Sequence, residues 1–129
     1  MNVREHAAMM LSLAKDDLHA LRSMQDSESF TTAIFGFHAQ QAVEKALKAW
    51  LTILGGGYPK IHDLEELLAL LKDQGQVVPE VFTKLIYLTA FAAQFRYDVF
   101  EEMVHRLDRA AVVREVTEFV DHVDKLIRS

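Results

Sequence analysis

The stretch Phe37-His38-Ala39-Gln40-Gln41-Ala42-Val43-Glu44-Lys45-Ala46-Leu47-Lys48-Ala49-Trp50 decides the fold. Wound as a helix at about 100° per residue, it gathers Phe35, Ala39, Ala42, Val43, Ala46, Trp50 and Ile53 on one side. His38, Gln41, Lys45 and Lys48 gather on the other side, with Glu44 at the edge of their stripe. Packing accounts for the apolar side. It does not call for an imidazole, an amide and two ammonium groups in one line, so the stripe is the first candidate for a site.

Outward from this segment the chain reads as helix after helix. A preceding helix of about 3–25 carries Val3, Ala7, Met10, Leu11, Ala14, Leu18 and Leu21 in one phase. Asp26-Ser27-Glu28-Ser29 breaks it and offers caps for the second helix, about 29–54. Gly55-Gly56-Gly57 ends that helix, because glycine accepts the left-handed conformation of a C-terminal cap, and Pro59 blocks resumption. Asp63 caps a third helix of about 64–74 with Leu64, Leu67, Leu68 and Leu71 inside. Gly75 and Pro79 bracket a turn. A fourth helix follows at about 79–95, burying Val81, Phe82, Leu85, Leu88, Ala92 and Phe95. Residues 96–107 read as a connection, and Asp108 caps a last helix of about 109–128 phased by Val112, Val116, Phe119, Val123 and Leu126. With no strand alternation, repeat or linker, the expectation is one all-α domain over 1–129. It is an up-and-down antiparallel bundle of about five helices.

Composition narrows the function. The 129 residues, half of them hydrophobic, suffice for a core without staples. The chain has no cysteine, which excludes disulfides and thiolate metal sites. No apolar run approaches the roughly 20 residues that span a bilayer, and no signal-peptide core follows Met1. The expected location is cytoplasmic, with no membrane association. A net charge of −5 opposes non-specific grip on nucleic acid. RNA contact therefore requires a restricted groove or a partner, with Lys45, Lys48 and Lys60 as local exceptions to the acidic balance.

The His38-Ala-Gln-Gln-Ala-Val-Glu-Lys-Ala-Leu-Lys48 core, the Lys60-Ile-His62-Asp63-Leu64 start of the next helix, and Arg96-Tyr97 downstream resemble the HEPN domains. These are all-helical prokaryotic proteins often encoded beside small nucleotidyltransferases. The order and lengths of the helices extend the likeness over nearly the whole chain. It implies a homodimer beside a small nucleotidyltransferase in a toxin–antitoxin-like pair, with a groove facing a nucleotide or RNA. It also implies that the late-helix arginine lies in a cleft, so Arg96 and Tyr97 join the stripe as ligand-binding candidates. The family's metal-independent ribonucleases carry Arg-x4-6-His, whose arginine and histidine activate a ribose hydroxyl and stabilise the developing charge. After Arg96 the required positions hold Glu101, Glu102 and Met103, and His105 falls beyond them. The expectation is no ribonuclease activity and no catalytic residue. Two alternatives stay open: an active ribonuclease toxin using a non-standard histidine, and a structural docking module for a nucleotidyltransferase.

Each candidate has a plain counterpart. The stripe of His38, Gln41, Lys45 and Lys48 reads either as a polar groove at a dimer seam or as a wet helix face with a Glu44–Lys48 ion pair. Lys60, His62 and Asp63 form either a weaker phosphate site at a helix start or only the cap itself. The triple glycine is a turn, since no Gly-Lys-Ser/Thr follows. Glu102-x-x-His105 and the outward Asp16-x-x-His19 do not make the inward pairs of a di-iron bundle. Neither metal nor cofactor is expected. Dimerisation is also suggested by Phe30, Phe35, Phe37, Trp50, Phe82, Phe91 and Phe95, more aromatic surface than one small bundle readily buries.

Overall fold

The computed structural model describes residues 1–92 and 107–129. Among them are five α-helices and one 3-10 helix, with no strand. The α-helices are α1 (Val3–Met24), α2 (Thr32–Ile53), α3 (Leu64–Asp73), the single turn α4 (Glu80–Thr83) and α5 (Arg109–Arg128); the 3-10 helix is Lys84–Phe91. None is long and apolar enough to cross a membrane.

Caps explain most boundaries. Asn2, Asp63 and Asp108 each accept a backbone N–H from the first turn of α1, α3 and α5. The cap of α2 is Thr31, whose hydroxyl accepts from Ile34, so the helix begins later than the expected residue 29. The 25–31 turn is pinned from α5 instead. The Arg109 guanidinium donates to the Met24, Ser27 and Phe30 carbonyls at 2.8, 3.0 and 2.7 Å and lies over the Phe35 ring. Glycine is required at Gly55 (φ 94°), where its N–H closes α2 onto the Thr52 carbonyl.

Long-range pairs set the direction of each neighbour. His6 meets Tyr58 while Asp17 meets His38 and Lys45, so α1 and α2 run antiparallel. Arg4 reaches the Ile127 carbonyl and Arg22 reaches Thr117, so α1 and α5 also run antiparallel. The middle of the bundle is α2, which packs against α1, α3, the 3-10 helix and α5. Phe35, Trp50, Phe91 and Phe119 are all buried in this one copy.

The expected fourth helix is shorter and wound differently. Only one α-helical turn forms, and the chain then tightens to 3-10 geometry, in which residues three apart eclipse one another. That winding puts Leu85, Leu88 and Phe91 on one buried face. Ala92 turns extended (φ −61°, ψ 145°) and stops the helix at Phe91. Val81, expected inside, is 47% exposed. The Phe91 ring lies on the α2 backbone at Gly36, where an added Cβ would stand 2.3 Å from the ring.

Candidate functional site

The polar residues of α2 sort themselves around two carboxylates. The first is Asp17 of α1, which follows Ala14 by three residues and precedes Leu21 by four, and is therefore on the buried face of its helix. The His38 Nδ1–H donates to Asp17 Oδ1 at 2.9 Å, and Lys45 Nζ donates to Oδ2 at 2.7 Å. Asp17 is 8% exposed, while His38 and Lys45 are part-buried and reach solvent at the α1–α2 seam.

The second carboxylate is Glu44, on α2 itself and 4% exposed. Its Oε1 accepts from Gln40 Nε2 at 2.9 Å and from His62 Nδ1 at 2.8 Å, and its Oε2 accepts from Lys48 Nζ at 3.1 Å. Gln40 also donates to the His62 carbonyl, and its own Oε1 accepts from Gln41 at 2.7 Å. The Lys48 ammonium lies 5.3 Å from the centre of the Tyr58 ring, a cation–π contact. Among the described residues no buried side-chain nitrogen or oxygen lacks a partner.

The single stripe expected from the helical wheel is therefore divided. His38 and Lys45 turn to α1; Lys48 turns to Glu44 and the loop before α3; Gln41 joins the Glu44 side through Gln40. The wet-face reading also needs correction, because the Glu44–Lys48 pair is there but buried. Burying such charges is costly unless each is paired and hydrogen-bonded, and here each is. The arrangement suits holding α1 to α2, and α2 to the segment carrying His62. An anion approaching Lys45 would compete with Asp17 for the ammonium.

The remaining candidates lie apart. Lys60 is exposed, with no partner among the described residues. At the start of α3, Asp63 accepts from the Glu65 N–H at 2.9 Å and the Leu64 N–H donates to Thr89 at 3.1 Å. Two of the free N–H groups a phosphate would use at that terminus are thus already bonded. Arg96 and Tyr97 lie outside the described residues, as does the Glu102/His105 pair. Asp16 and His19 are exposed, and among the described residues no group of His, Cys, Asp and Glu is placed to hold a metal ion.

Asp17 and Gln40 are the site residues that the α2 stripe did not reveal. Asp17 was visible in the phase of α1, as an acid at a position shared with Ala14 and Leu21. Gln40 had no comparable signal, since α2 is covered on more sides than its apolar stripe alone implies. Two titratable groups outside both networks are perturbed. Burial, with the Glu115 and Asp108 carboxylates, pushes the Tyr87 phenol up to about 12. Burial, with Lys125, holds His122 below the usual imidazole range, where it lies against the Trp50 and Phe82 rings.

Comparison with known proteins gives one finding: the family model described as HEPN domain matches residues 7–128. No curated protein and no solved structure matches the chain.

Proposed function

The chain belongs to the HEPN domain family, matched from residue 7 to residue 128, and from that footing we propose that it works by assembly and binding rather than by cleaving RNA. In this reading it is a cytoplasmic homodimer acting with a small nucleotidyltransferase in a toxin–antitoxin-like pair. A nucleotide or RNA segment meets the accessible edge of α2, at His38, Gln41 and Lys45, together with Arg96 and Tyr97. Lys48, His62 and Asp63 brace that edge, and Lys60 adds positive charge beside it.

The observation that carries the proposal is the closure of both polar networks. A general base needs an uncommitted group at the reacting atoms, and the α2 motif commits its imidazole and ammonium groups to Asp17 and Glu44. The sequence supports the same reading, with Glu101, Glu102 and Met103 where the family's ribonucleases place histidine. Support for a second copy comes from apolar side chains that one copy leaves uncovered, including Met9, Leu13, Phe30 and Ile34.

The test is a metal-free incubation of the purified chain with a mixed RNA pool, beside light scattering at micromolar concentration. Intact RNA and a dimer mass are expected. Degradation that disappears in Arg96→Ala would overturn the non-nuclease reading, and a monomer mass would overturn the dimer. Titration with a nucleoside triphosphate separates a ligand-facing protein from a purely structural docking module, which would bind nothing.

A further inference from the structure

The segment between α2 and α3 is held to the helices by few ties. Among the described residues, the only backbone–backbone hydrogen bond made by residues 56–62 runs from the Ile61 N–H to the Pro59 carbonyl at 3.0 Å, inside the segment itself. The polar ties come from Tyr58 and His62. The Tyr58 hydroxyl is 2.9 Å from His6 Nε2 and donates to Met10 Sδ at 3.5 Å, and its ring stacks on the His6 ring. His62 gives its Nδ1–H to Glu44 and its carbonyl to the Gln40 amide. Tyr58 and Ile61 are only partly buried against the core, and the His62 side chain is 48% exposed. Ties so few and so wet mark a part of a fold that opens at a lower free energy than the whole.

The two ends of the segment differ. Gly55 (φ 94°) and Gly57 (φ 67°) are in the left-handed region, and a Cβ added at either would meet nothing within 4 Å. That backbone can turn without displacing a neighbour. The other end is fixed, because Asp63 caps α3 and the Leu64 N–H is bonded to Thr89.

Against the segment lies the buried ion pair of α2. Glu44 and Lys48 are 4% and 7% exposed. Within α2 they bond to each other, and Glu44 bonds to Gln40. Outside α2, among the described residues, their only polar or ring partners are His62, on Glu44, and Tyr58, whose ring centre is 5.3 Å from the Lys48 ammonium. A helix keeps an i,i+4 pair together by itself, so lifting Tyr58 and His62 away wets the pair without breaking it. We infer that residues 55–62 are a strap that closes over Glu44 and Lys48 and swings open on Gly55 and Gly57 while the helices stay folded. Lys48 is thereby gated, enclosed with the strap down and offered to an anion with the strap up. The proposed function uses Lys48 only as a brace, so RNA cleavage, dimer mass and nucleotide titration bear on that reading and leave the strap untouched.

The test is acetylation of the full chain by an N-hydroxysuccinimide ester, followed lysine by lysine by mass spectrometry. Lys60 is exposed and serves as the freely reacting standard. Lys48 is expected to react about tenfold or more slowly than Lys60, through a local opening. Its rate should hardly change in low urea, because opening a strap exposes little surface. Global unfolding, read from Trp50 emission in the same solutions, should depend on urea far more steeply. His62→Ala and Tyr58→Ala each remove a tie and should raise the Lys48 rate about tenfold. The Lys45 rate should stay as it is, since Lys45 is tied separately to Asp17. A Lys48 rate equal to that of Lys60, one that climbs with urea in step with global unfolding, or one unchanged in both variants would overturn the inference. The urea dependence of the parent keeps the test decisive should a variant fail to fold.

Discussion

At the scale of the residue, the most constrained contact is an absence of atoms. Gly36 has no side chain because Phe91 occupies the space, with a ring carbon 2.3 Å from where a Cβ would stand. Alanine ordinarily improves a helix by about 1 kcal/mol over glycine. Here we expect Gly36→Ala to lower stability by about 1–3 kcal/mol, the usual cost of overpacking a filled core, measured as a shift in denaturant midpoint. An unchanged or raised midpoint would mean that the ring moves aside freely. A second expectation concerns Asp17. Lys45→Met removes one of its two partners and should cost about 1–2 kcal/mol, less than breaking a fully enclosed pair because Lys45 is only part-buried. In the double variant with Asp17→Asn much of that cost should return, and a strictly additive result would show that the pair is not coupled. The sequence made His38 and Lys45 visible as polar residues on an amphipathic helix. Asp17 stood out in the phase of α1, but its pairing with them became visible only once α1 was known to lie against α2, because the wheel of one helix contains no information about its neighbour.

At the scale of the element, the long helices and the capped α3 were legible, and the winding after Pro79 was not. Periodicity over 20 to 22 residues located α1, α2 and α5, and caps at Asp63 and Asp108 fixed the starts of α3 and α5. The segment after Pro79 misled because Leu85 and Leu88 satisfy a spacing of three that both helix types tolerate; burial of Phe91 is what decides for 3-10 winding. The exit from α3 shows how a turn can serve a distant side chain. Gly75 (φ 77°) donates to the Lys72 carbonyl and Gln76 donates to that of Leu71, a Schellman closure. The closure delivers the Gln76 side chain to the Trp50 indole, which donates to its Oε1 at 3.2 Å. Gly75→Ala should therefore cost about 1 kcal/mol through the left-handed backbone. It should also alter the Trp50 emission, since the indole loses a fixed partner. Loss of stability with unaltered emission would separate the turn from the tryptophan.

At the scale of the whole molecule, the two perturbed groups predict how stability varies with pH. Tyr87 has its folded value raised from 10.0 to about 12. Its contribution is complete below pH 10 and disappears as pH rises through about 12. Tyr87→Phe should flatten the alkaline limb of the melting profile, and a limb of unchanged slope would sink this assignment. His122 has its folded value lowered below 6.5, so its contribution is present above that pH and is lost as the solution becomes more acidic. His122→Phe should blunt the acid limb between neutrality and the carboxylate range. The burial of α2 on nearly all sides has a consequence for anyone mapping tolerance by saturation mutagenesis. Gln40, Glu44 and Lys48 are as enclosed as the leucines beside them, and each is bonded to the next. A screen scored on cellular abundance should find these three as intolerant as the apolar core. A polar position that refuses every substitution would usually be taken for a reaction centre; here the refusal would record architecture. Only a screen that reads abundance and activity in parallel can tell the two apart.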